Sequence, residues 1–395
     1  MVSASSFVSA LELPDSLVEL GHDAELLAAL RAPDDLASLA GARTTLFEAI
    51  PYTRRMPRLV AGASQGFRDH LMAQYEAWDD QYAVLPPSVQ VDLENVLAFG
   101  SILYADVGGQ RRAVYETVRS IDRPYVSFAA EPPRPAPDAI FDTPGVSYFY
   151  LGSPGSHNYG HWLVDDLPRA AWLASHRDGV SVLLPSHGAA MDAVRRDSLR
   201  MLIGEPMPPI TFLPAGRSQA LARVSYVSPV THHPVLKLPA AMRYVRDTIR
   251  AAATERFGDS GAGRRLFVIR GAARGRGIIN LAEIEPLLAD AGYETVDPET
   301  YDFAGQVDMF RAADRVIGVM GAAMTNTLFC PPGARVGYLA PVGWFEPFYW
   351  DLAGAIDQDY FVQFGPVAES GQPPHLSPFT LDPAATKTLL AEMDA

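Results

Sequence analysis

Two rhythms of apolar residues run through this chain. Between Arg264 and Pro332, three short strand-like runs (Leu266–Ile269, Glu294–Val296, Val316–Val319) alternate with stretches of helical spacing. Such alternation predicts a parallel sheet with crossover helices. Upstream, Val146–Leu151 and Val180–Leu184 read as buried strands with a helix-like segment between them, followed by a helix over Met191–Ile203 and a strand over Val224–Val227. That order starts a second α/β sheet. Earlier still, Val96–Tyr104 and Ala113–Val118 flank Asp106-Val107-Gly108-Gly109 and predict a hairpin.

Ser16–Ala40 has partial helical spacing, and Glu131–Asp138 is a proline-rich extended linker. A domain boundary is placed in Thr231–Pro239, after which a helix over Ala240–Phe257 leads into a basic stretch. Beyond Pro332 come a strand (Arg335–Leu339), an aromatic-rich helix (Phe345–Ala355), a strand (Tyr360–Phe364) and a closing helix best defined over Ala384–Met393. The predicted domains are 1–235, with its N-terminal extension, 236–370, and a tail over 371–395.

At 395 residues the chain has room for two cores. A formal charge of −14 argues against sequence-independent nucleic-acid binding. The one cysteine, Cys330, excludes an intrachain disulfide and a cysteine-based zinc site, and its apolar setting reads as a core thiol. The first residues lack the basic region of a signal peptide, and no run reaches transmembrane length. A cytoplasmic location is the simplest expectation, with peripheral membrane association left open.

In a parallel sheet all strands end at one edge, where ligands collect. Two loops should meet there: Gly271–Gly277 (GAARGRG) and Met320–Asn326 (MGAAMTN). Arg264–Arg276 carries five arginines and no acid. Guanidinium groups match phosphate oxygens in pairs, glycines let backbone approach a ligand, and a helix start at Gly321-Ala322 offers N–H groups and a positive dipole end. A diphosphate suits this set; so would a solvated basic turn with a tight helix start.

His161, Asp165 and Arg169 recur every four residues in NYGHWLVDDLPRAAWL and share a face if one helix spans them. A carboxylate that fixes a histidine tautomer makes it a good general base. Pro168 leaves an alternative: a helix starting near Asp166 would put His161 and Asp165 in a loop. His161 could equally be a structural histidine. His157 with His161 has metal spacing, but Gly160 intervenes and no third ligand is evident, so no metal is expected. Among the aromatics Trp344, Phe345, Phe348, Tyr349 and Trp350, Trp344 is the one expected beside a ligand, the rest suiting a core. Asp357-Gln358-Asp359 matches a metal-binding D-x-D only loosely and reads as a turn, and Ser153–Ser156 has no hydrolase context.

Four blocks in order, NYGHWLVDDLPRAAWL, RGAARGRGIIN, DFAGQVDMFRAAD and GVMGAAMTNTLFCPPGARV, make the stretch from Tyr148 to Tyr360 resemble family 61 glycosyltransferases. The resemblance implies two Rossmann-like α/β domains facing across a cleft (GT-B), and an inverting transfer of sugar from a nucleotide-diphosphate donor to a glycan or lipid-linked glycan hydroxyl. It further implies His161 as base with Asp165 orienting it, and donor contacts from Arg270, Arg276, Asn280, Gly321, Ala322, Thr325 and Asn326, with no cofactor. Gln306 also matches the pattern, though a glutamine on an amphipathic helix is usually solvated. Asn280 could also cap the following helix. The chain departs from the family at Met320, where a histidine is usual, and at Leu281, where an acid is usual. A bacterial capsule, exopolysaccharide or lipopolysaccharide pathway fits the alanine-rich make-up. The rivals are a degenerate transferase serving as a glycan-binding or scaffold subunit, and a phosphoryl-handling α/β enzyme, for which no P-loop is present.

Overall fold

The structure, a computed structural model, describes residues 43–81, 87–107, 110–117, 139–232, 236–261, 263–270, 275–344, 346–368 and 371–395. The helix expected over Ser16–Ala40 and the linker over Glu131–Asp138 lie outside them. Contacts divide the chain into two compact units: Met1–Ile50 with Val84–His233, and Pro51–Ala83 with Pro234–Ala395. The chain therefore does not build its units in succession, as the boundaries 1–235 and 236–370 supposed. Residues 51–83 go to the C-terminal unit, as does the closing helix (Pro383–Asp394), which packs Leu389 and Met393 into that unit's core.

The C-terminal unit is built on an all-parallel sheet. Its strands lie in the order Glu294–Val296, Arg264–Val268, Ala313–Val319, Arg335–Pro341, Asp359–Gly365 and Leu59–Ala61. The five strands after Gly263 thus follow the doubly wound order 2-1-3-4-5. In that order the connections leave in opposite directions from Arg264–Val268 and Ala313–Val319, which opens a crevice at their C-terminal ends. Phe267, Ile284, Leu288, Ile317 and Leu339 fill the core on one face.

The sixth strand comes from far upstream, and Leu59 pairs with Phe361. Helix Gln65–Gln81 follows it and packs Phe67 on Phe364 and Tyr75 on Trp350, with ring centroids 5.1 and 4.7 Å apart. Nearby, the fully buried Asp351 accepts from Arg54 Nε (2.5 Å), Tyr52 Oη (2.5 Å) and Lys237 Nζ (2.8 Å). One buried carboxylate with several charged and polar donors is the condition under which an interior ion pair is tolerated.

The N-terminal unit carries a mixed sheet rather than a second doubly wound one. Ser147–Tyr150, Val180–Pro185 and Ile210–Leu213 run parallel to each other, and Ser218–Val227 pairs parallel to the first of them. The other edge of Ser218–Val227 pairs antiparallel with Ser88–Phe99, which continues into antiparallel strands Ile102–Val107 and Gln110–Ala113. The run Val96–Tyr104, read as a single strand, instead reverses at Gly100-Ser101, and Tyr115–Thr117 is a 3-10 turn, not the strand expected. Alternation alone does not say where a strand turns, and a Gly-Ser pair inside the run was the cue for it. Among the described residues, no helix is long and apolar enough to cross a membrane.

Candidate active site

In the N-terminal unit, strand Ser147–Tyr150 runs into a loop that Asn158 ends. Its Oδ1 accepts from the N–H groups of Gly160 (2.9 Å) and His161 (3.4 Å), an N-cap for the helical run that follows. That run continues through Ala174 but changes pitch: one α turn over Tyr159–His161, a π turn over Trp162–Asp166, then 3-10 geometry over Leu167–Ala174. Pro168 gives the physical reason. Its ring would clash with the carbonyl four residues back, and widening the preceding turn relieves that clash.

His161 and Asp165 therefore lie inside one continuous helical run. His161 Nδ1 is 2.9 Å from Asp165 Oδ2, and Asp165 Oδ1 accepts from Thr231 Oγ1 at 2.8 Å. An ionised carboxylate only accepts, so Nδ1 of the neutral ring carries the proton and Nε2 holds the basic lone pair. Thr231 lies 66 positions from Asp165, and no local pattern could have marked it.

Arg169 does not join this pair. The π turn shifts its bearing, and it is buried with Nη1 on Asp166 Oδ1 (3.0 Å), Nε on the Val227 carbonyl (2.8 Å) and its guanidinium 4.7 Å from the Tyr226 ring. Asp166 also accepts from Ser153 Oγ at 2.9 Å. Burial pushes its carboxyl up to about 6, against the pull of the Arg169 charge.

A second histidine stands at the same strand edge. His187 Nε2 meets Ser156 Oγ at 2.8 Å, while Asp192 accepts from its backbone N–H rather than from its ring. Ser156 is fully buried, so the pair does not form a nucleophile. Burial, with the charges of Arg195 and His157, pulls the His187 imidazole down to about 4. His157 turns its Nδ1 to the Pro154 carbonyl (3.2 Å).

The C-terminal unit places the residues flanking the first predicted loop, and the start of the second, at the crevice of its sheet. Arg270 follows the Arg264–Val268 strand, and Gly321 follows Ala313–Val319. A Cβ on Gly321 would lie 2.3 Å from Arg270 Nη1 and 3.7 Å from Arg276 Nη2, so both guanidinium groups converge on this position and a side chain there would displace Arg270. Arg276 donates through Nη1 to the Met320 carbonyl (2.7 Å), and its guanidinium lies 4.4 Å from the Trp344 ring. Its buried Nε makes no hydrogen bond. Burial and the neighbouring Arg270 charge lower its pKa to about 10. Two adjacent cations, one with a spare buried donor, suit an anion, although the Glu346 carboxylate already offsets part of the charge on Arg276.

The helix after Gly321 is a 3-10 run, Ala322–Phe329, with the Met324 N–H on the Gly321 carbonyl (2.8 Å). Ala322 opens it beside the arginines. Thr325 and Asn326 are fully buried, and Asn326 Nδ2 donates to Gln306 Oε1 at 2.8 Å. Gln306 is accordingly a buried brace rather than a solvated residue. Asn280 makes no side-chain cap; its carboxamide holds the Leu381 backbone through two bonds, Nδ2 to O at 2.8 Å and N to Oδ1 at 2.9 Å. Of the predicted donor residues, Arg270, Arg276, Gly321 and Ala322 come together, and Asn280, Thr325 and Asn326 bond or bury elsewhere.

The Met320 side chain is fully buried, and its contribution to the arginines is its carbonyl. Leu281 packs against the core around Phe267 and Ile284. Residues 271–274, Arg274 included, and Phe345 lie outside the described residues. Asp359 is engaged by Arg55 (3.1 Å) and Arg58 (3.3 Å), Asp357 by Arg243 (3.0 Å), and Gln358 is buried, so the D-x-D stretch is a turn fixed by arginines. Cys330 is buried, and burial raises its thiol pKa.

The family model of glycosyltransferase 61 matches residues 159–337. The matched stretch holds the His161–Asp165 pair, both arginines and Gly321. It supports the glycosyltransferase 61 family, and with it sugar transfer between a donor and an acceptor. No curated protein matches the chain.

Proposed function

We propose that the chain is an inverting, metal-independent glycosyltransferase of GT-B type that takes a nucleotide-diphosphate sugar as donor. The observation that carries this reading is the convergence of Arg270 and Arg276 on Gly321 at the switch point of the parallel sheet. In the reaction an acceptor hydroxyl gives its proton to His161 Nε2 as its oxygen bonds to the anomeric carbon. The bond from that carbon to the diphosphate oxygen breaks, and the diphosphate leaves with the electron pair. Asp165, oriented by Thr231, stabilises the imidazolium that forms. The two guanidinium groups and the helix start at Ala322 stabilise the charge that grows on the leaving group. The acceptor is a glycan or lipid-linked glycan hydroxyl, and a bacterial cell-surface polysaccharide pathway in the cytoplasm is the setting that fits.

A donor-hydrolysis screen across UDP-, GDP-, ADP- and CDP-sugars tests this, with the unchanged chain, Arg270→Ala and His161→Ala compared. Arg270→Ala is expected to weaken donor binding by about 1.5–3 kcal/mol, the range for a hydrogen bond to a charged group. His161→Ala is expected to leave donor binding in place and lower turnover by about 10²–10⁴-fold. Activity should persist in chelator; strict Mg²⁺ dependence would favour a phosphoryl-transfer enzyme instead.

The buried Met320 side chain favours a second reading. If the family's histidine here only grips phosphate, the chain loses one donor contact and binds more weakly, but if that histidine is the base, a buried thioether cannot take the proton. The chain would then be a glycan-binding or scaffold subunit. Calorimetry separates the two, since a scaffold would bind none of the four nucleoside diphosphates at millimolar concentration.

A further inference from the structure

The stretch Pro374–Leu381 runs along the backbone on either side of Arg276. The carbonyl of Leu376 lies 2.8 Å from where a Cβ on Gly275 would stand, and Gly275 has φ +68°. Next along, the Phe379 N–H donates to the Gly277 carbonyl (3.1 Å), and the Phe379 carbonyl accepts from the Ile279 N–H (2.8 Å). Asn280 then grips the Leu381 backbone from both sides, at 2.8 and 2.9 Å. Between these clasps sits Arg276, with φ +57°, a left-handed conformation that a non-glycine residue keeps only when its surroundings impose it. At the other end of the stretch, Pro374 lies 3.4 Å from a Cβ position on Gly343, the residue before Trp344. One segment thus fixes the backbone on both sides of Arg276 and the turn that bears its stacking partner.

We propose that Pro374–Leu381 is a strap that sets donor affinity by holding Arg276 in its binding conformation, with Gly275 and Asn280 as positioning residues. The proposal rests on the reading of Arg276 as a ligand of the donor diphosphate. Without the clasps, Arg276 relaxes toward the right-handed region, and its guanidinium leaves the Met320 carbonyl and the Trp344 ring. Binding then has to restore that arrangement, which raises the dissociation constant while leaving the saturated complex intact.

The test uses the full chain, calorimetry with UDP, GDP, ADP and CDP, and steady-state kinetics with whichever donor the screen finds. Gly275→Ala and Asn280→Ala are each expected to raise the nucleotide Kd and the donor KM by about tenfold or more. Acceptor KM and kcat at saturating donor should stay within about twofold, since the strap acts on donor binding alone. A role confined to stability would lower the melting temperature without that donor-against-acceptor split, and it would overturn the proposal, as would an unchanged Kd in both variants. If Gly275→Ala does not fold, Asn280→Asp serves in its place. It keeps the acceptor for the Leu381 N–H and loses the donor to the Leu381 carbonyl, and it should weaken binding by a smaller factor; full affinity would sink the strap. Should the unchanged chain bind none of the four nucleotides, the donor reading itself fails, and the strap with it.

Discussion

Arg276 and Lys are not interchangeable at this place, although both carry one charge. The guanidinium reaches the Met320 carbonyl with one nitrogen and lies against the Trp344 ring with its plane, and a compact ammonium can do one of these but not both. Arg276→Lys is expected to weaken nucleotide binding about tenfold in calorimetry, although the net charge is unchanged. Two other residues set opposing pH dependences. His187 takes its proton at about 4 in the folded chain and at 6.5 when unperturbed, so across that window the unfolded chain binds more protons and stability falls as pH drops. Asp166 runs the other way: it holds a proton up to about 6 when folded, against 3.8 when unperturbed, and its contribution falls as pH rises through the same window. Thermal melts between about pH 4 and pH 7 should therefore show a shallow slope for the unchanged chain. His187→Gln should protect the chain against acid, whereas Asp166→Asn should make acid more damaging. The contact between His161 and Asp165 was legible from their spacing of four on one helix, while the resemblance, not the spacing, singled the pair out. The sequence could not show Thr231 or His187, whose partners are brought to them by strand order and not by spacing.

At the scale of elements, alternation located the parallel strands well because strands buried on both faces are continuously apolar and end at Gly or polar loops. Ala313–Val319, Arg335–Pro341 and Asp359–Gly365 each contain the run expected. The helical run Tyr159–Ala174 was harder, because Pro168 argued for a break and the chain answered with a change of pitch. That is also why Arg169 faces Asp166 and not Asp165. Helix Pro347–Ala355, expected as aromatic core, carries Asp351 as well, and nothing in its apolar pattern signalled that a carboxylate there would be fully buried. Asp351→Ala would leave Arg54 and Lys237 as buried cations without their shared carboxylate. A loss of about 3–5 kcal/mol in denaturant unfolding is expected, the usual cost of breaking a buried ion pair from one side.

For the whole molecule, the length predicted two units, and contacts divide the chain into two, but their segments interleave in sequence and do not follow one another as the boundaries 1–235 and 236–370 supposed. Residues 51–83 gave no signal of their destination, since a three-residue strand such as Leu59–Ala61 is recognisable only beside the strand it pairs with. A fragment of residues 234–395 lacks Tyr52, Arg54 and the ring of Tyr75 against Trp350. It is expected to melt without cooperativity, and adding a peptide of residues 51–83 should restore a cooperative transition.

The pairing of Leu59 with Phe361 has a temporal side. A ribosome releases the chain from its N-terminus, so the early strand emerges long before the partner that will shield it, and the segment between must pass first. Through that interval Leu59–Ala61 and the apolar face of Gln65–Gln81 stay without their native neighbours. Synthesis rate and chaperone supply should therefore govern yield more strongly than the stability of the finished molecule.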